Sequence, residues 1–189
     1  MNTPLVMTLI GEDKPGLVDS ISEVVARHGG NWLESRMAHL GGHFAGIVRL
    51  DVPEENREAL LRAVEGLADL GLTVTARSDR GGKAEVPIRP ATLEVVGLDR
   101  PGIVRHLSHA LAVQGVNVEE LTTECYSAPM SGELLFRARA LLRIPESVRL
   151  RELRTELESL AHELMVDLSL EEPAGQADSG TAASGTGQE

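Results

Sequence analysis

Residues 11–16 read Gly-Glu-Asp-Lys-Pro-Gly and residues 97–102 read Gly-Leu-Asp-Arg-Pro-Gly, 86 positions apart. The same displacement carries Gly29 onto Gly115, Asn31 onto Asn117 and Glu34 onto Glu120. An offset held through a turn, a helix-length segment and the next extended run marks a duplicated structural unit. The 189 residues are therefore expected to form two small domains rather than one large one. A unit of roughly 80 residues buries a limited share of its surface, which favours packing against a second copy.

Apolar spacing gives the order of elements. Leu5 to Ile10 is a nearly all-apolar run, the pattern of a covered strand. Pro15 is suited to a first helical position because its missing N–H would be unpaired there anyway. Leu17, Val18, Ile21, Val24 and Val25 form one apolar stripe, and Gly29-Gly30 ends it. Asn31 to His39 reads as a second strand, Gly41-Gly42 as a hairpin turn, and Phe44 to Val52 as an alternating third strand. Pro53 opens a second helix carrying Leu60, Val64 and Leu67, and Leu72 to Ala76 closes the unit.

The second copy repeats this β-α-β-β-α-β order from Ala91. Its first helix uses Ile103, Val104, Leu107, Ala110 and Leu111. Its third strand sets Leu134, Phe136, Ala138, Ala140, Leu142 and Ile144 opposite Arg137, Arg139 and Arg143. Leu150, Leu153, Leu157, Leu160 and Leu164 mark its second helix. The expected boundaries are a first domain at 1–78, a linker at 79–90, a second domain at 91–171 and a disordered tail at 172–189. Pro53 aligns with Pro145 and Leu72 with Leu164 at an offset of 92, so six residues are inserted in the second copy. The hairpin around Cys125–Gly132 is the natural place, because loops tolerate insertion and carry function.

Charge and composition exclude several functions. The net charge is −11, and Glu171, Glu172, Asp178 and Glu189, at the end of the second domain and in the tail, supply four of the acidic groups. The remaining 18 basic against 25 acidic residues leave −7, which opposes direct nucleic-acid binding. Aromatic residues make up 2%, too few for a base-stacking platform. No apolar run approaches the roughly 20 residues of a membrane span, and Met1 to Ile10 lacks the form of a secretory signal. Cys125 is the single cysteine, so no intrachain disulfide forms, and a cytoplasmic location is expected.

Chemistry-bearing clusters are sparse. His39 and His43 flank Gly41-Gly42, and His106 and His109 are three apart, but neither pair is joined by further ligands, so no metal is expected. Cys125 beside Tyr126 lacks an evident activating base. With no Gly-x-Ser-x-Gly elbow and no phosphate loop, neither catalysis nor a cofactor is expected.

A β-α-β-β-α-β unit folds as a ferredoxin-like split βαβ layer, giving an α+β chain of two such domains with helices on one face of each antiparallel sheet. Gly11-x-Asp13-x-Pro15-Gly16 followed by Asn31, repeated at Gly97-x-Asp99-x-Pro101-Gly102 with Asn117, resembles the ACT domain. Tandem copies filling residues 3–171, with Ala128-Pro129-Met130-Ser131-Gly132, Leu135-Phe136 and Ile144-Pro145, are similar to the glycine cleavage system transcriptional repressor family. The resemblance implies a regulatory module that binds a small amino acid, glycine first and serine second.

The helix starts also suit a zwitterion by their own chemistry. Unpaired amides near Gly16 and Gly102 would hold a carboxylate, Asp13 or Asp99 the ammonium, and Asn31 or Asn117 a further donor and acceptor. Pro15 and Pro101 shape the same loops. A turn and helix start with no ligand accounts for the motif equally, Asp stabilising the free amides and Asn shaping a turn. The arginine stripe is read either as a solvated strand face or as a surface meeting acids on a partner or the other copy.

Two functional readings follow. The first is a glycine-responsive negative transcriptional regulator of glycine cleavage. It would contact a protein such as a DNA-bound activator, with Ala128, Pro129, Met130 and Ser131 as the contact surface. The second is a stand-alone regulatory subunit giving feedback control of an amino-acid metabolic enzyme. The resemblance also implies pairing of ACT sheets, and a homodimer is compatible with either.

Overall fold

The computed structural model describes residues 1–79, 87–129 and 132–173. Residues 80–86 of the expected linker and 174–189 of the expected tail lie outside the described residues. The chain divides into two compact units, Met1–Lys83 and Ala84–Glu189.

Unit 1 comprises β1 (Asn2–Glu12), α1 (Leu17–Arg27), β2 (Asn31–Leu40), β3 (His43–Pro53), α2 (Glu54–Glu65) and β4 (Leu72–Ser78). Unit 2 comprises β5 (Ile88–Leu98), α3 (Ile103–Val113), β6 (Asn117–Ser127), β7 (Leu134–Pro145), α4 (Leu150–Leu164) and β8 (Val166–Glu171). Each sheet is antiparallel, in the orders β2-β3-β1-β4 and β6-β7-β5-β8. This is the α+β, ferredoxin-like architecture expected from the repeat.

Alternation decides which sheet face is covered. Leu5, Met7 and Leu9 on β1 and Val48, Leu50 and Val52 on β3 are buried with Leu17, Ile21, Val25 and Leu60 from the helices. Unit 2 repeats this with Ala91, Leu93 and Val95, the inward residues of β7, Ile103, Leu107, Leu111, Leu153 and Leu157. Burial of each such large side chain contributes about 1.5–3 kcal/mol. Val18, Val104 and Leu134 depart from their apolar patterns and are exposed.

Backbone geometry corrects the predicted helix starts. Pro15 and Pro101 stand in the turns, and each helix begins two residues later, after Gly16 (φ 92) and Gly102 (φ 96). A left-handed residue cannot be the second residue of a helix, so the glycine becomes the N-cap. β5 begins at Ile88, inside the stretch expected to be linker. Pro90 is tolerated there because β8 pairs only with Thr92–Gly97, so no neighbour on that side needs its N–H.

The hairpin insertion lies where expected. Leu40 pairs with His43 across Gly41-Gly42 (φ 58 and 78), a two-residue turn needing positive φ twice. In unit 2 the ladder runs one pair further, to Ser127 and Leu134, which leaves six residues of sequence between the paired positions. The Leu72–Leu164 alignment is corrected. Gly11 pairs with Leu72 and Gly97 with Val166, an offset of 94 that adds two residues before β8. α4 continues for 15 residues, whereas α2 passes into a 3-10 turn at Gly66–Leu70.

Candidate ligand loops at the helix starts

The loop after β1 is tied to the neighbouring hairpin. Asp13 N–H donates to the Gly42 carbonyl at 3.0 Å. The chain then passes Pro15 and turns at Gly16, and the first helical bond is Ser20 N–H to the Gly16 carbonyl at 2.9 Å. Among the described residues nothing accepts from the amides of Leu17, Val18 and Asp19, and no side chain caps α1. Three aligned N–H donors with the positive end of a helix dipole suit a carboxylate.

Unit 2 repeats the arrangement. Asp99 N–H donates to Leu134 at 2.9 Å, His106 N–H to Gly102 at 3.0 Å, and the amides of Ile103, Val104 and Arg105 are likewise without acceptors among the described residues. The surroundings differ. Nothing lies within 4 Å of a Cβ placed on Gly16, whereas one on Gly102 would meet the His106 ring at 3.3 Å. That ring is held by Nδ1, 2.8 Å from the Gly102 carbonyl. The first turn carries Asp19 in α1 and no acid in α3.

Neither aspartate caps its helix; each faces the second strand instead. Asp13 Oδ2 lies 3.6 Å from His39 Nε2. Asp99 acts on the Cys125 thiol, whose pKa is raised by local desolvation first and then by the Asp99 charge and a hydrogen bond to it. His39 and Cys125 pair with Phe44 and Phe136 in the two ladders, so they are equivalent positions. Sequence reasoning weighed these two residues separately, as a metal candidate and a hairpin thiol. Their separation of 86 was the signal that they belong to the loops.

The eight predicted ligand residues are all exposed, but each unit gathers only part of its set. Asp13, Pro15 and Gly16 share one end of unit 1, and Asp99, Pro101 and Gly102 the same end of unit 2. Asn31 pairs across β3 with Asp51, which pairs with Pro4, nine residues before Asp13. At ~3.3 Å per strand residue the asparagine is about 30 Å from the loop of its own unit. Asn117 follows the same path through Arg143 and Pro90.

At the tip of unit 2, Ala128 N–H donates to Glu133 at 2.8 Å and Gly132 N–H to Ala128 at 3.0 Å. Ala128 is half-buried and Pro129 exposed; Met130 and Ser131 lie outside the described residues. The arginine stripe meets acids of its own unit. Arg137 pairs with Glu124 at 3.0 Å and lies over the Tyr126 ring, Arg139 pairs with Glu94 at 3.5 Å, and Arg143 with Glu119 at 4.0 Å. These are exposed pairs, each contributing about 0–1 kcal/mol.

Among the described residues no three His, Cys, Asp or Glu side chains gather as a metal site, and no helix is long and apolar enough to cross a membrane.

Residues 3–77 match the family model of the ACT domain. A solved structure of an unknown protein from Galdieria sulphuraria is 31% identical, with a TM-score of 0.78, 92% of this chain covered and 100% of that one. A candidate glycine cleavage system transcriptional repressor shares the fold at 19% identity and a TM-score of 0.67, with 93% and 99% covered. No curated protein sequence matches significantly. Residues 3–77 are thus an ACT domain, and the second unit repeats its topology and loop chemistry, so the chain has a tandem ACT-like fold.

Proposed function

We propose that this tandem ACT protein is a non-catalytic regulator that responds to a small amino acid. The finer reading is a cytoplasmic, glycine-responsive negative regulator of glycine cleavage that acts by contacting a protein such as a transcriptional activator, not DNA. One observation carries it: in both units three acceptor-free amides open a helix beside an aspartate that does not cap that helix. Carboxylate on the amides and ammonium on Asp13 or Asp99 accommodate both charges of an amino acid. The glycine cleavage likeness makes glycine the first effector to test and serine the second.

The loop also offers a route to a partner. Because Asp99 N–H donates to the carbonyl of Leu134 in the last ladder pair of the hairpin, a ligand on Asp99 bears on that hairpin. Regulation requires such a differential effect on two states. Asn31 and Asn117 can join a loop site only from beyond their own unit. Supplied by a second copy of the chain, they would make ligand binding and homodimerisation one event.

Calorimetric and thermal titration with the twenty amino acids tests the sensor. Glycine or another small amino acid at 100 times its Kd is expected to stabilise the chain by about 2.7 kcal/mol. Asp13→Ala and Asp99→Ala should each reduce the shift. No heat and no stabilisation with any amino acid overturns the reading. Capture with and without glycine then separates the roles. Retention of a transcription factor supports the repressor reading, and retention of an amino-acid metabolic enzyme replaces it with the regulatory-subunit one.

A further inference from the structure

α1 and α3 hold equivalent places in the two units, and each leaves one face open. At the shared displacement of 86, Val18 matches Val104, Ser22 matches Ser108 and Ala26 matches Ala112. All six are exposed, and the two valines are 46% and 40% accessible although each continues the apolar stripe of its helix. A single exposed valine needs no explanation. Two at the same place of a repeat, each followed along the face by a serine and an alanine, leave room for a facing helix.

Along this face the charges are reversed. Asp19 and Glu23 of α1 stand where α3 has Arg105 and His109, and all four are exposed. Of the four α-helices, α3 alone carries no acid, in a chain whose net charge is −11. Arg105 lies in its first turn, where the helix dipole favours an acid. Among the described residues the Arg105 guanidinium and the Asp19 carboxylate have no ion-pair partner, and Glu23 is held by Arg27 of its own helix. The arginines of β7, by contrast, each meet an acid of their own unit.

The two faces fit each other. Laid antiparallel with Ser22 over Ser108, the helices set Val18 opposite Ala112 and Ala26 opposite Val104. Glu23 then comes within a turn of Arg105, and Asp19 within a turn of His109. The same register between two copies of α1 sets Glu23 beside Glu23, and between two copies of α3 it sets His109 beside His109. Such charges decide which surfaces pair more than how tightly they pair.

We propose that the outward face of α1 docks on α3 of a second copy of the chain, the charge reversal setting unit 1 against unit 2 and not like against like. The inference is independent of the ligand reading, because it names the surface that joins two copies and needs no amino acid. Each helix has 11 residues, about 16 Å of length, so one contact stays below the roughly 1,200 Å² of a stable interface and the association is weak.

Sedimentation equilibrium of the full chain, without added amino acid, is expected to show a reversible dimer that loosens with salt. Glu23→Arg and Arg105→Glu should each weaken it about tenfold, and the two together should restore it, because the pair is exchanged and not lost. Disulfide trapping reads the partner directly. In a Cys125→Ser background, Ser22→Cys chains mixed with Ser108→Cys chains should cross-link on oxidation, and neither should do so alone. This measurement needs no charge variant, so it decides the matter if one of those fails to fold. A chain that stays monomeric, a dimer unmoved by both single reversals, a double variant no tighter than the singles, or cross-linking of like with like overturns the proposal.

Discussion

In unit 1 the space above Gly16 is open, with nothing within 4 Å of the point a Cβ would occupy; in unit 2 the His106 ring stands 3.3 Å from the same point on Gly102. Asp13 faces an imidazole at 3.6 Å, while Asp99 faces a thiol. The hairpin bonded to the loop has two residues of sequence between its last ladder pair in unit 1 and six in unit 2. Yet the φ angles of Gly16 and Gly102 differ by 4° (92 and 96), and the amides left without acceptors are equivalent. Duplication has kept what the backbone requires and changed the side chains that face outward from it. The two loops therefore offer one way to hold a carboxylate and two different entrances to it.

The sharpest way to break this comparison is to add a methyl to each glycine. Alanine at positive φ costs about 1–2 kcal/mol, so Gly16→Ala and Gly102→Ala should both destabilise. Gly102→Ala should cost about 1 kcal/mol more, because the His106 ring must move. Trp32, the one tryptophan, lies in unit 1. Urea unfolding followed by its fluorescence should shift with Gly16→Ala, and circular dichroism, which reads both units, should shift with each variant. His106→Ala should remove the additional cost. Equal costs in the two units would show that the ring does not cover the loop.

A smaller effect is expected where the units differ at the start of the last strand. Met165 takes φ 53 at the position where unit 1 has Gly71 at φ 75. Met165→Gly should stabilise unit 2 by about 0.5–1 kcal/mol, the left-handed penalty less the flexibility glycine adds to the unfolded chain. Chemical denaturation that shows a loss instead would mean that the contact of Arg100 with the Met165 sulfur outweighs the backbone term.

The smallest effect concerns reactivity. Desolvation, then Asp99, holds the Cys125 thiol above its ordinary pKa, so the fold favours the protonated form. The associated stability is present below the unfolded thiol's pKa and is lost as pH rises through the folded value. Asp99→Asn removes the second cause, so at mildly alkaline pH the thiolate fraction rises and iodoacetamide reacts faster. Asp13→Asn, in the other unit, should leave the rate unchanged. Equal rates in wild type and Asp99→Asn would separate Asp99 from Cys125.

Much of the fold was legible because it is local and repeated. Alternation placed Val48, Leu50 and Val52 inward, the four-residue spacing of Leu17, Ile21 and Val25 placed α1, and paired glycines marked the turn before β3. Errors came where neighbours decide. Leu164 matched Leu72 by spacing, but ladder pairing with Gly97 selects Val166. Pro15 looked like a helical first residue until the left-handed turn at Gly16 moved the start beyond it. The candidate site was half legible. Asp, Pro and Gly are contiguous, so the motif kept them together. Asn31 follows in sequence after one helix, but an 11-residue helix returns the chain to the opposite end of the sheet.

The amino-acid sequence by itself determined the duplication, the β-α-β-β-α-β order and the paired loops, because periodicity and positive-φ glycines are properties of neighbouring residues. Only the tertiary structure decided what stands around those loops. His39 and Cys125 meet the two aspartates through sheet pairing, His106 stands over one helix start, and a small apolar gap remains between α3 and the sheet of unit 2. Such contacts depend on which strands lie side by side and how far each side chain reaches, and a linear pattern carries neither.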